Sequence, residues 1–206
     1  LAFAQNTTPA WDVLNQEVLT LRKSGEYGHA IITSKMAILV ARAPSQATSQ
    51  AEYLNELRTS LSHLASIYKA QGNYSETIPI YQEMLSIWKK IAGPKILDKV
   101  TMKDLADAYR AQGRYLEAEA LYLKALEAVI DEMKVQFSGS FYDSLALSIF
   151  EGLSAIYWVT ERISEAEEMD RSAAQIKSGK AAPPSMEGKE PAPKRKDSGA
   201  DKYSLS

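Results

Sequence analysis

The chain contains no cysteine, which excludes disulfides, zinc–thiolate centres and thiol nucleophiles together. Histidine is almost as scarce, with only His29 and His63 present, too few for an imidazole metal cluster. No apolar run approaches the roughly 20 residues that cross a bilayer as a helix; the longest runs from Met36 to Ala41. There is no excess of basic charge. Lys and Arg number 24 against 26 Asp and Glu, a net charge of −2, and that balance argues against bulk affinity for nucleic acid. Glycine-rich phosphate loops, nucleophile elbows, zincin helices and calcium loops are also missing. No catalytic residue, metal or cofactor is therefore expected, and the chain reads as a protein that is not an enzyme.

What is present is a soluble profile of one domain's length: 206 residues, 45% hydrophobic and 24% charged. Its organising stretch is Met102 to Glu127. There Leu105, Ala106 and Tyr109 keep helical spacing, Gly113 interrupts, and Tyr115, Ala118 and Tyr122 start a second helical period. The stretch Leu61 to Leu85 repeats it, with Leu64, Ala65 and Tyr68, then Gly72, then Tyr74, Thr77 and Tyr81. A fainter copy precedes, with Val18 and Leu21, Gly25, then Tyr27, Ala30 and Ser34; another follows, with Leu153, Ser154 and Tyr157, then Ile163, Ala166 and Asp170. The small residue early in each second helix, at Ala30, Thr77, Ala118 and Ala166, recurs at intervals of 47, 41 and 48. A helix pair of this size cannot bury its apolar face alone, so successive pairs must stack.

The pattern Leu-Ala-x-x-Tyr, a turn Gly, then Tyr-x-x-Ala-x-x-x-Tyr resembles the tetratricopeptide repeat, whose basic unit is about 34 residues. The longer spacing here, Gly93-Pro94 after the second helix and Pro79 inside it resemble the kinesin-light-chain-like subclass. The resemblance covers residues 11 to 177. It implies an all-α fold, a right-handed α-solenoid of four helix–turn–helix units at about 11–44, 50–92, 97–136 and 142–177.

The resemblance also implies a concave groove lined by the first helices. One residue beyond the packing stripe, the same count in each unit gives Asn15, Leu19 and Arg22; Ser62, Ser66 and Lys69; Lys103, Asp107 and Arg110; and Glu151, Ala155 and Trp158. Spacing of i, i+4, i+7 puts each trio on one helix face. Arg22, Lys69 and Arg110 share the last place, which points to an acidic or carboxylate-bearing peptide, although a cation in a helix's final turn is favoured by the dipole whatever its function. Trp158 at the same place in the fourth unit would serve as an aromatic anchor. Two family roles do not carry over. Leu19, Ser62 and Asp107 do not supply the Lys and Asn of a chaperone-carboxylate clamp, and Ser62-His63 and Lys103-Asp104 replace the asparagine pairs of kinesin light chains.

Other polar residues read as structural. His63 lies beside the packing stripe and is expected to be satisfied or solvent-facing. Glu161, Glu165, Glu167 and Glu168 read as a solvated helix start, where carboxylates suit the dipole. Asp170, where units two and three have Tyr81 and Tyr122, suits a terminal unit that nothing covers. Residues 1–10 form a lead-in. Ala2 and Ala4 stand at the −3 and −1 places of a signal-peptidase site cutting before Gln5, which implies export in a bacterium; a chance boundary in an alanine-rich stretch leaves a cytoplasmic protein. Residues 178–206, with four prolines among Lys, Ser, Gly and Ala, read as a disordered tail. The expected function is binding a protein or peptide segment in the groove. The alternative is an assembly subunit of a cell-envelope complex that joins copies of itself or binds through the convex face.

Overall fold

The computed structural model describes residues 10–43, 49–93, 98–135 and 140–179. The cleavage-site reading at Ala2 and Ala4, the disorder of the tail beyond residue 179, and the connectors Pro44-Ser45, Pro94 and Ser138-Gly139 lie outside the described residues. Within them are eight helices and no strands: α1 (Ala10–Lys23), α2 (Tyr27–Arg42), α3 (Gln50–Ala70), α4 (Tyr74–Ala92), α5 (Lys99–Ala111), α6 (Tyr115–Val135), α7 (Ser140–Val159) and α8 (Ile163–Lys177). Two compact units divide at Gly113, inside the third sequence repeat.

In the first unit each helix packs on the next, and α1 also touches α3. Val18, Ala30 and Ile67, all fully buried, meet at the centre of α1, α2 and α3, with Leu21, Tyr27 and Ile31 around them. Starts are set by side chains where capping residues occur. Ser49 Oγ accepts from Glu52 N at 3.1 Å, and Asp98 accepts from Thr101 N at 3.1 Å and from its hydroxyl at 2.7 Å, each satisfying an orphan donor of the first turn. The cap at Asp98 explains why α5 opens at Lys99 rather than Leu97. Pro79 sits exposed inside α4, where its missing N–H removes one intrahelical hydrogen bond.

In the second unit α6 packs on α7 and α7 on α8. Tyr122, Phe150, Ile149, Leu153, Ile156 and Met169 are fully buried. Gly152 lets α6 approach: a Cβ there would lie 2.5 Å from the Tyr122 ring. Charge is buried here as well. Glu119, 1% exposed, accepts from Tyr157 Oη at 3.0 Å and from Arg162 Nη1 at 2.8 Å, the pairing that a carboxylate out of water requires. Arg162 lies 4.2 Å over the Tyr157 ring and also donates to Glu165 at 2.9 Å. Burial first, then Glu119, raises the Tyr157 phenol above its ordinary range, so it stays a donor. Burial disfavours the Arg162 charge, but its bonds to Glu119 and Glu165 outweigh that and hold it protonated. The counterparts of Glu119 in the first two repeats are Ile31 and Ile78.

The helix–helix turns share one geometry. Glu26 N donates to Leu21 O at 2.9 Å, Asn73 N to Tyr68 O at 2.9 Å, and Arg162 N to Tyr157 O at 2.8 Å, the six-to-one bond of a Schellman turn. Its left-handed residue is Gly25 (φ 78°), Gly72 (70°) and Gly113 (72°) in three repeats but Glu161 (61°) in the fourth. An L side chain pays steric strain there. Glu161→Gly should therefore stabilise the chain by about 1 kcal/mol, seen as a higher midpoint in thermal melting. An unchanged or lower midpoint would mean the glutamate side chain contributes more than its backbone costs.

Candidate functional site

The first unit brings three of the four predicted trios onto one face, because α1, α3 and α5 are its first-helix elements and their side chains reach across from one to the next. Arg22 donates to Ser66 Oγ at 2.8 Å. Lys69 lies 3.6 Å from Asp107. Each contact joins the third place of one trio to the second place of the next, the same diagonal step repeated. Between the same helices Trp11 Nε1 donates to Ser60 Oγ at 2.9 Å, and His63 Nδ1 donates to Asn15 Oδ1 at 3.1 Å.

Asn15 departs from its expected place in the groove. It is 5% exposed, and its amide also donates to the Trp11 carbonyl at 2.8 Å, so it links α1 to α3 rather than facing a ligand. The physical reason is its partner, since His63 reaches across to it. Leu19 and Arg22 are half-buried, Ser62 is exposed, and Ser66, Lys69, Lys103, Asp107 and Arg110 are half-buried. In the second unit Glu151 is exposed and paired with Lys177 at 2.9 Å, and Ala155 is half-buried. Trp158 is 46% exposed, with its Nε1 donating to Asp170 at 3.1 Å. Asp170 also accepts from Ser154 at 2.6 Å, so this carboxylate does more than leave a terminal face polar: it fixes the tryptophan.

The cations of the first unit are not bare. Lys69 donates to Asp104 at 2.8 Å, and Lys103 lies 2.8 Å from Asp107 and 3.5 Å from Asp104. Burial opposes the Lys69 charge, but Asp104 and Asp107 more than offset it and raise its pKa. Behind this network is a cavity of about 400 Å³ with α3 and α5 as walls and Tyr81 and Met84 of α4 as floor. Arg58 and Asp98, which the trios omit, close its other end. The two lie 4.0 Å apart, and Arg58 lies 5.1 Å from the centre of the Trp88 ring. Arg58 Nε and Trp88 Nε1 are buried without a hydrogen-bond partner among the described residues. Extending the second trio by one turn from Ser62 lands on Arg58, so periodicity alone could have found it.

Residues 56–131, which contain most of α3, all of α4 and α5 and most of α6, match the family profile of the tetratricopeptide repeat. Those residues carry tetratricopeptide repeats. The crystal structure of BtubC (BKLC) from P. vanneervenii superposes with a TM-score of 0.68 at 17% identity, over 90% of this chain and 67% of that one. The likeness is one of fold, an all-α tetratricopeptide solenoid. None of the curated proteins compared matches the chain significantly. Tetratricopeptide repeats are a non-catalytic fold that generally mediates protein–protein interaction.

The α1–α3 bridge of these repeats carries a pH dependence. Burial first, then the charge of Arg22, lowers the His63 pKa below 6.5. The unfolded chain thus takes up this proton before the folded chain does, and stability falls as pH drops below about 6.5. His63→Gln should flatten that part of the profile in urea unfolding between about pH 7.5 and 5. A slope identical to wild type would mean that other groups carry it.

Proposed function

We propose that the first unit binds an extended protein segment along the face of α1, α3 and α5, with one side chain entering the cavity over Tyr81 and Met84. The cavity carries this reading. A volume of about 400 Å³ has room for a large side chain, and binding sites typically combine such an apolar floor with a few polar groups at the rim. The rim has Ser62 and Ser66 hydroxyls and the Lys69 ammonium on one wall, and Asp104 and Thr101 on the other.

Charge favours a segment bearing carboxylates. Across the first three trios and the cavity lining, five cations (Arg22, Arg58, Lys69, Lys103 and Arg110) accompany three carboxylates (Asp98, Asp104 and Asp107). That face is positive on a chain whose net charge is −2, which steers an acidic segment toward it. Because Lys69 and Lys103 are shared with aspartates, an incoming carboxylate must displace one of these contacts. The preference is accordingly modest and weakened by salt.

The test is capture of the natural partner by wild type and by the double variant Arg58→Glu, Lys69→Glu, with helicity followed by circular dichroism. Capture should fall about tenfold or more with helicity retained, because like charges then face an acidic segment. Undiminished capture by a folded variant removes the groove as the site.

A further inference from the structure

The repeats provide their own control for the surface opposite the core. Two, six and nine residues after the small mark of each second helix lie Pro79, Glu83 and Ser86 on α4, Ala120, Lys124 and Glu127 on α6, and Glu168, Ser172 and Gln175 on α8; none is a large aliphatic side chain, and all but buried Ser172 are exposed or half-buried. On α2 the same places hold Ile32, Met36 and Leu39, exposed by 59%, 49% and 67%. They fall on the side of α2 away from buried Ala30, Thr33, Ser34, Ala37 and Ala41, so packing within the unit does not require them to be apolar. Their spacing of four then three is that of a coiled-coil seam. Exposed Lys35 lies along one edge of the seam, with Arg42 beyond it bound to Glu83 at 2.7 Å.

We propose that this stripe on α2 docks an amphipathic α-helix of a partner protein, one whose apolar residues recur at three and four and are flanked by carboxylates that meet Lys35. A straight seam two turns long matches a helix, which anchors through i, i+3, i+4 and i+7. The edge cation selects acidic flanks. Charge decides against a second copy as occupant, because two α2 helices paired antiparallel along the stripe would set Lys35 against Lys35.

The experiment is a fluorescence-anisotropy titration of the full chain with a labelled synthetic helix that carries leucines at the four–three spacing and glutamates beside them, and with a twin carrying lysines instead. The acidic helix should bind wild type saturably and about tenfold more tightly than its twin, and Met36→Glu should cost about tenfold or more. Lys35→Glu should invert the preference between the twins, which general stickiness would not do. Both positions are exposed, so circular dichroism should match wild type; Leu39→Glu replaces Met36→Glu if it does not. Lys69→Glu, in the groove, should leave the titration unchanged. No binding, equal binding of the twins, or sensitivity to Lys69→Glu in place of Met36→Glu overturns the proposal. So does sedimentation showing a wild-type dimer that Met36→Glu dissolves, which makes a second copy the occupant. Tighter binding after removal of residues 1–9 or 180–206 overturns it too, by showing that the chain's own end covers the stripe.

Discussion

Close approach of paired helices is the constraint on which the other features rest. The small mark of every second helix, Ala30, Thr77, Ala118 and Ala166, is completely buried. A larger side chain there would push the helix off its neighbour and forfeit contacts on both sides, since a packed interior cannot absorb the added volume without strain. Thr77 is tolerated because its hydroxyl turns back onto the Tyr74 carbonyl at 2.9 Å, leaving the methyl as the packing surface. With the second helices held this close, the position of each first helix is largely determined, and surface residues of α1, α3 and α5 come within reach of one another.

That proximity converts a sequence stripe into a network. Arg22 to Ser66 and Lys69 to Asp107 repeat one diagonal step, so the polar face is held in register by its own side chains. The pairing has two effects. It restrains long side chains that would otherwise cost rotamer entropy on binding, and it spends part of their charge internally. A face built this way gains specificity from geometry more than from raw charge.

The fold was legible because it is periodic: helix, turn glycine and small mark recur, and a pattern seen four times constrains its own reading. The trios were legible as positions on a face for the same reason. Their chemistry was less so. Lys103 and Asp107 pair at i, i+4 within α5, which the spacing allows, but nothing in it says that Asp104 and Asp107 would also hold Lys69, because those contacts cross from α3 to α5 and depend on how far the helices stagger. Asn15 went into the bridge to His63 through the same cross-helix geometry, although its place in the count matched exposed Ser62. Arg58 could have been found by counting one turn further, but its stacking on Trp88 of α4 could not.

Departures from the repeat carry the remaining information. A position that obeys the pattern reports only that the fold needs it, whereas one that breaks the pattern must have a local cause. Glu119 breaks it where Ile31 and Ile78 conform and where the fourth repeat's Glu167 is exposed, and the cause lies within its unit: Arg162 and Tyr157 satisfy the buried carboxylate. Glu161 takes a turn place that glycine holds elsewhere, and Arg162 beside it is the residue that reaches Glu119, so the strained turn and the buried ion pair are adjacent parts of one structure. Ile32, Met36 and Leu39 break the pattern with no cause inside the chain's described residues. Exposed apolar surface is disfavoured in water and gains nothing for folding. A contact beyond these helices, such as the proposed partner helix, would account for the stripe, which is why the first repeat, rather than the most regular ones, is where a further interaction of this protein should be sought.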